Sequence, residues 1–154
     1  MDTHDEYSRQ ASLMMLGQVF RDLQLWPVVE AQVRLKQKVR QHRPLDKLLD
    51  AFLTILAGGH GVVESNTRVR PEPAVQLAFG RTGCAEQSTI SRTLNACTAE
   101  TVQQMRAALQ LILRQHGQCC QHDYSRACQI LDSDFTGLVA GPQCEGATKG
   151  YFAH

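Results

Sequence analysis

The sequence has no long apolar run and almost no net charge. No stretch approaches the roughly 18 consecutive apolar residues that a membrane helix needs. The first residues include Asp2, Asp5 and Glu6 and lack the basic flank of a secretory signal. We therefore expect a cytoplasmic protein with no membrane partner. The formal net charge of +1 excludes a global attraction to nucleic acid, so any such interaction depends on locally clustered charge.

Six cysteines are present, but nothing else in the sequence indicates a secreted disulfide framework. Without a secretory signal the thiols are expected to be reduced. The hydrophobic share of 43% and the charged share of 20% exclude wholesale disorder. A length of 154 residues suits one compact domain, or a small domain followed by part of another.

Charge of each sign is concentrated in a different part of the chain. Five basic residues and no acidic residue lie between Arg34 and Arg43, whereas Asp123, Asp132, Asp134 and Glu145 lie in the stretch from Gln121 onward. The chain is therefore basic early and acidic late.

Residues 1–120 have the periodicity of helices. We predict a helix within Tyr7–Leu25 and a second with Pro27 in its first turn, which would continue through Val33 to the basic residues Arg40–Arg43. A basic end is favourable at the negative pole of a helix dipole.

The strongest helical pattern has apolar residues spaced for one buried face, and Gly58-Gly59 follows it as a stop signal. Its members are Leu45, Leu48, Leu49, Phe52, Leu53 and Leu56. Two short helices are predicted within Ala74–Phe79 and Glu86–Cys97. Thr98 is the expected N-cap of a last helix that ends at Gly117, with Val102, Met105, Leu109 and Ile112 or Leu113 facing inward.

After Gly117 the pattern changes to that of a strand. Gln129–Val139 is short, mostly apolar and compatible with a strand, and Tyr151-Phe152-Ala153 begins a second. In the first strand Asp132, Asp134 and Thr136 would share one face. Two adjacent carboxylates repel each other unless a hard divalent cation binds them. The alternative is that both acids lie at a solvated strand end or cap the following loop.

Several segments together resemble bacterial DDE-type insertion-sequence transposases, which move DNA by a cut-and-paste reaction. Asp134-Phe135-Thr136 is similar to the first catalytic motif of that family. Further resemblance covers Leu48–Arg70, Leu77–Arg81, Cys84–Ser88 and Ala147–Ala153, and so most of Leu45–His154.

The resemblance implies a mainly α-helical protein in two parts. Residues 1–120 would form a helical DNA-binding domain, and residues 121–154 would be the truncated start of a ribonuclease-H-like α/β core. In that core two Asp and one Glu bind two Mg²⁺ ions for phosphoryl transfer. Asp134 matches the first catalytic Asp. Asp132 either supports that ligand from one strand repeat earlier or, if the alignment shifts by two, is the metal ligand itself. The expected partner is double-stranded DNA at insertion-sequence ends, and a homodimer is left open.

No residue matches the family's second Asp or its Glu, so we expect the chain to bind DNA without cutting it alone. Two other interpretations remain. Asp132-Ser133-Asp134-Phe135-Thr136 also resembles the first motif of haloacid-dehalogenase-type phosphatases, although that family needs further residues on later strands. The chain could instead be a small helical DNA-binding or interaction protein without catalysis.

Two groups of residues are candidates for DNA contact. Gln87, Ser88, Ser91 and Arg92 resemble the start of a helix-turn-helix recognition helix, in which Arg92 would reach guanine and Gln87 adenine. A plain amphipathic helix is the alternative. Arg34, Lys36, Lys38, Arg40 and Arg43 could contact phosphates, although a solvated charged segment is favoured.

Two further clusters are interpreted as structural. Gly58-Gly59-His60-Gly61 lacks the Lys-Ser/Thr of a phosphate loop. A zinc site is not expected in the cysteine and histidine cluster, because its spacing matches no zinc pattern. Its members are His116, Cys119, Cys120, His122 and Cys128.

Overall fold

The computed structural model describes residues 9–125, which are mainly helical and include no strand. The mainly helical prediction is confirmed for this part of the chain, whereas the predicted strands in Gln129–Val139 and Tyr151–Ala153 lie outside the described residues. Seven α-helices lie within the described range: α1 Ala11–Asp22, α2 Leu25–Gln32, α3 Pro44–Leu56, α4 Ser65–Arg68, α5 Pro73–Ala78, α6 Gln87–Asn95 and α7 Ala99–His116. Short 3₁₀ turns span Val62–Glu64 and Gln118–Gln121.

The chain divides into two units, Met1–Gln121 and His122–His154, and all seven helices belong to the first. Among the described helices, none is long and apolar enough to cross a membrane. Most of the core lies where α1 packs on α5 and where α3 packs on α6. A smaller cluster lies between α2 and α7, where Val29, Val33 and Ala108 are buried together.

Helix α3 begins and ends at the predicted signals. Pro44 occupies its first position, and the Asp46 carboxylate accepts a hydrogen bond of 3.1 Å from the Arg43 backbone N–H. After Leu56, Gly58 adopts a left-handed conformation with φ of +77°. Its N–H and that of Gly59 donate to carbonyls of the last turn, at 2.9 and 2.8 Å. This is the glycine stop that the sequence predicts.

The buried face of α3 is rotated away from its apolar stripe. Leu49 and Leu53 are fully buried, but so is Asp50, while Phe52 and Leu56 are exposed to 40% and 38%. The expectation that the whole stripe is core is therefore wrong for those two residues. The helix is turned in this way because Asp50 forms a buried ion pair with Arg81, which is described below.

The buried face of α7 also differs from the apolar face that the sequence predicts. Thr98 is its N-cap, since its hydroxyl accepts from the Thr101 N–H at 3.3 Å, and the helix ends before Gly117 as predicted. Thr101 and Ala108 are its buried residues, and Met105 and Ile112 pack beside Ala108. Of the two alternatives Ile112 and Leu113, Ile112 is the one that packs inward, but the prediction is wrong for Val102 and Leu109, which are about half-exposed.

The predicted helix through Arg40–Arg43 is also wrong. Helix α2 ends at Gln32, Val33 is extended with φ of −92° and ψ of 131°, and residues 33–43 form a non-helical connecting segment. Tertiary contacts explain the change: Val33 is 1% exposed in the cluster between α2 and α7. The Gln104 side chain of α7 also accepts the Arg34 N–H at 2.8 Å, which replaces a helical hydrogen bond.

Candidate nucleic-acid interface

The connecting segment is attached to α6 through one side chain. The Gln37 side-chain oxygen accepts a hydrogen bond of 2.9 Å from the Thr93 hydroxyl, and its nitrogen donates to the Arg92 carbonyl at 3.3 Å. Both groups of Gln37 are thus engaged by consecutive residues of one helix. The basic residues that follow Gln37 are brought beside α6 as a result.

A cleft with a volume of about 430 Å³ lies between the connecting segment, α3 and α6. We call it the cationic cleft. Its lining residues are mostly polar or basic: Gln37, Lys38, Arg40, Gln41, His42, Lys47, Arg70, Cys84, Glu86, Thr89, Arg92 and Thr93. Five of these carry a permanent positive charge, and Glu86 is the one acid among them.

The cleft unites three of the basic residues that the sequence analysis singled out. Lys38 and Arg40 come from the connecting segment, and Arg92 comes from α6. All three are exposed. Cations that line a concave surface raise the local concentration of anions more than the same charges spread over the surface. The small net charge of the whole chain hides this local concentration of positive charge.

Lys47 and Arg70 complete the cationic cleft, and the sequence patterns predicted neither of them as a DNA contact. Lys47 lies within the strongest helical pattern, and Arg70 lies just after α4. Neither belongs to a basic run. No local signal in the sequence identifies them, because only the packing of α3 and α6 places them beside the connecting segment.

A buried ion pair connects α3 to the loop that precedes α6. The Arg81 guanidinium lies 3.2 Å from the Asp50 carboxylate, and the two side chains are 9% and 0% exposed. Arg81 also donates to the Asp46 carbonyl at 2.7 Å and to the Gly83 carbonyl at 2.9 Å. The Ala85 N–H donates to Asp50 at 2.8 Å. These bonds attach the loop before α6 to α3.

Burial raises the pKa of Asp50, although the charge of Arg81 acts in the opposite direction. Burial alone would also raise the pKa of Asp46, but the hydrogen bond from Arg43 and the charge of Arg81 outweigh it and lower that pKa. Burial raises the pKa of Cys84, which lines the cleft, to about 12. This thiol is therefore protonated at neutral pH and is a poor nucleophile.

Two members of the basic run are held outside the cationic cleft by their own contacts. Arg34 donates to the Glu30 carbonyl at 2.7 Å, at the end of α2. Arg43 forms ion pairs with Glu30 at 2.7 Å and with Asp46 at 2.9 Å. Lys36 is exposed and does not line the cleft. The basic run is thus divided between a structural part and a part that faces the cleft.

Of the four α6 residues expected to contact bases, only one lines the cationic cleft. Arg92 lines the cationic cleft, whereas Gln87, Ser88 and Ser91 are half-buried on α6 and do not line it. The extensive packing of α6 is against α3 and the 3₁₀ turn Val62–Glu64. In a helix-turn-helix the preceding helix, here α5, would be expected to pack across the recognition helix.

The predicted metal and catalytic residues, Asp132 and Asp134, lie outside the described residues. So does Cys128 of the cysteine and histidine cluster. Within residues 9–125, no three His, Cys, Asp or Glu side chains are grouped closely enough to hold a metal ion. The four cysteines in this range are free thiols: Cys84, Cys97, Cys119 and Cys120.

The chain matches no protein-family model, no curated protein and no solved structure.

Proposed function

We propose that this chain binds double-stranded DNA through the cationic cleft, as a protein related to DDE insertion-sequence transposases. The observation that carries the proposal is the convergence of Lys38, Arg40, Lys47, Arg70 and Arg92 on one concave surface from four separate parts of the chain. Phosphate contacts by basic side chains supply most of the sequence-independent affinity of a DNA-binding protein. The Gln41 amide, which is exposed and lines the cleft, would add a neutral contact to the DNA backbone.

The direct test is a titration of the purified chain with duplex DNA at several salt concentrations. Each phosphate contact contributes about −0.9 to the slope of log K against log salt. The Arg92→Ala and Arg40→Ala variants should each weaken binding and make that slope shallower by about 1. Arg106→Ala is the matched control, because it removes an exposed arginine of α7 outside the cationic cleft.

Absence of binding at low salt would overturn the proposal. Equal losses for Arg92→Ala and Arg106→Ala would show that DNA contacts a different surface. A preference among duplex sequences that Gln87→Ala removes would add base reading by α6 to the phosphate contacts.

The relation to transposases rests on the sequence resemblance, whose catalytic motif, Asp134-Phe135-Thr136, lies outside the described residues. In the complete reaction Asp134 would bind Mg²⁺, with Asp132 as the ligand in the shifted alignment. No residue of this sequence matches the family's other two acids, so the chain should bind supercoiled plasmid without nicking it in Mg²⁺. Nicking that disappears in Asp134→Ala would contradict that expectation.

A second candidate function is self-association through α7. Val102, Leu109 and Leu113 are exposed to 48%, 56% and 48%, and their spacing places them along one stripe of the helix. Analytical ultracentrifugation should then show a dimer that Leu109→Lys disrupts and Gln103→Lys does not. A monomer at high protein concentration would exclude this function.

A further inference from the structure

Lys47 differs from the other cations of the cationic cleft because it is buried. Its exposed fraction is 7%, although it lines the cleft. Among the described residues, no hydrogen bond or ion pair reaches its ammonium group. The stem of Lys47 is packed in the protein, while its ammonium group stays accessible at the surface of the cleft. The fold therefore holds this positive charge in the cleft with no partner of its own.

The nearest carboxylates along α3 are already engaged. Asp46 accepts hydrogen bonds from Arg43, and Asp50 pairs with Arg81 and the Ala85 N–H. Lys47 is also the fourth residue of α3, close to the end of the helix where the dipole disfavours a cation. Glu86 is the one carboxylate that lines the cleft, and it forms no ion pair with Lys47, so the ammonium of Lys47 is available to an anion in the cleft.

We propose that Lys47 forms the base of a phosphate-binding subsite in the cationic cleft, with Arg70 and Arg92 on its walls. The ligand is a phosphodiester group of the DNA backbone, so this inference rests on the proposed DNA binding. A phosphate offers several acceptor oxygens to cations that approach from different directions. The cleft volume of about 430 Å³ lies within the range of small-ligand sites and exceeds the needs of one phosphate.

The subsite differs in kind from the other phosphate contacts. Lys38 and Arg40 are exposed, so salt screens their interaction with a phosphate strongly. The stem of Lys47 is packed in the protein, so its ammonium group is held in place and loses little side-chain freedom when it binds a phosphate. Replacing Lys47 should therefore weaken binding more than replacing Lys38, although each substitution removes a single charge.

The test compares Lys47→Met with Lys38→Met as its matched control. Methionine keeps most of the length of the buried stem and removes the charge. A charge-assisted hydrogen bond contributes roughly 1.5–3 kcal/mol. Lys47→Met should thus weaken duplex binding by about tenfold or more, because each 1.4 kcal/mol is a tenfold change. Lys38→Met should weaken it by less than that.

Inorganic phosphate is the second probe. It should raise the melting temperature of the wild-type chain and of Lys38→Met above that in sodium chloride of equal ionic strength. Lys47→Met should lose this difference, and Lys47→Arg should keep part of it. Arg70→Met changes an exposed side chain and should reduce the phosphate effect, so it keeps the test decisive even where Lys47→Met does not fold.

The outcomes separate the two proposals. Wild-type binding of duplex DNA with equal affinities for wild type, Lys47→Met and Arg70→Met would overturn the subsite and leave the proposed function intact. Failure to bind duplex DNA, with a phosphate effect that depends on Lys47, would overturn the proposed function and assign the site to free phosphate. A Lys47 effect confined to duplexes with a 5′-phosphate would replace the phosphodiester by a terminal phosphate.

Discussion

The Gln37 side chain accepts a hydrogen bond of 2.9 Å from the Thr93 hydroxyl, across 56 positions of the sequence. Thr93 is fully buried on α6, and its one hydroxyl hydrogen is shared between the Gln37 oxygen and the Thr89 carbonyl, which lies 3.1 Å away. The bond to Gln37 attaches the connecting segment to a rigid helix. It therefore decides where Lys38 and Arg40 lie relative to Arg92.

Removing this attachment should loosen the connecting segment without removing a charge. In Gln37→Leu, the amides of residues 34–40 should exchange with deuterium faster than in the wild type, because local opening becomes easier. DNA affinity should fall as well, since the cations on the segment lose their fixed position.

Gln110→Ala is the control, because Gln110 is exposed on α7 and is remote in sequence from the cationic cleft. Hydrogen exchange measured by mass spectrometry reports the loosening directly. Unchanged exchange in residues 34–40 of Gln37→Leu would show that other contacts hold the segment.

The buried pair of Asp50 and Arg81 should be a large determinant of stability. Asp50→Ala leaves the Arg81 guanidinium buried without its charge partner and should cost about 3–5 kcal/mol in the free energy of unfolding. Urea denaturation followed by circular dichroism measures this cost. Asp22→Ala, which changes an exposed carboxylate of α1, should cost about 0.5 kcal/mol or less.

A double variant distinguishes a buried charge from a general packing defect. Replacing both partners in Asp50→Leu with Arg81→Met removes the two charges together and should recover part of the lost stability. A double variant less stable than either single variant would show instead that the hydrogen bonds of Arg81 to the Asp46 and Gly83 carbonyls carry most of the stabilisation.

Gly17 should tolerate no side chain at the contact of α1 with α5. A Cβ atom there would lie 2.9 Å from the Ala78 backbone carbon and 2.9 Å from the Phe79 ring. Alanine is a better helix former than glycine by about 1 kcal/mol, but overpacking of this kind costs about 1–3 kcal/mol. Gly17→Ala should therefore lower the melting temperature.

Gly83→Ala provides the comparison, because a Cβ atom at Gly83 would meet nothing within 4 Å. Its melting temperature should stay close to that of the wild type. Calorimetry of both variants measures the difference, and equal melting temperatures would mean that α1 shifts away from α5 at little cost.

The thiol of Cys84 should be unreactive in the folded protein. Its pKa is raised by burial from 9.0 to about 12, while Cys119 and Cys120 are exposed. At pH 8, alkylation mapped by mass spectrometry should label both exposed cysteines before Cys84. Labelling of Cys84 at the same rate would show that the cationic cleft opens readily.

The same pKa makes stability depend on alkaline pH. The unfolded thiol ionises near its ordinary pKa, whereas the folded thiol stays protonated until about pH 12. The contribution of Cys84 is therefore complete below pH 9 and is lost progressively between about pH 9 and 12. Unfolding free energies of Cys84→Ala should decline less steeply over this window.

Local signals predicted much of the helical architecture. Thr98 caps α7, Gly58 ends α3, and Pro27 lies in the first turn of α2, all as expected from their chemistry. Each of these effects depends on residues within one or two turns of the chain. The sequence also indicated Lys38, Arg40 and Arg92 as candidate DNA contacts, but it did not indicate that all three line one cleft.

The sequence by itself determined where most of the described helices lie, because capping and apolar periodicity act over a few residues. Only the tertiary structure determined that residues 33–43 are not helical. Val33, Gln37 and the Arg34 N–H contact residues distant in the sequence, and these contacts outweigh continuation of the helix. The tertiary structure also decided that Asp50 turns inward while Phe52 stays exposed, because Arg81 reaches α3 from another part of the chain. The cationic cleft exists for the same reason: long-range packing, and not sequence proximity, gathers its charges.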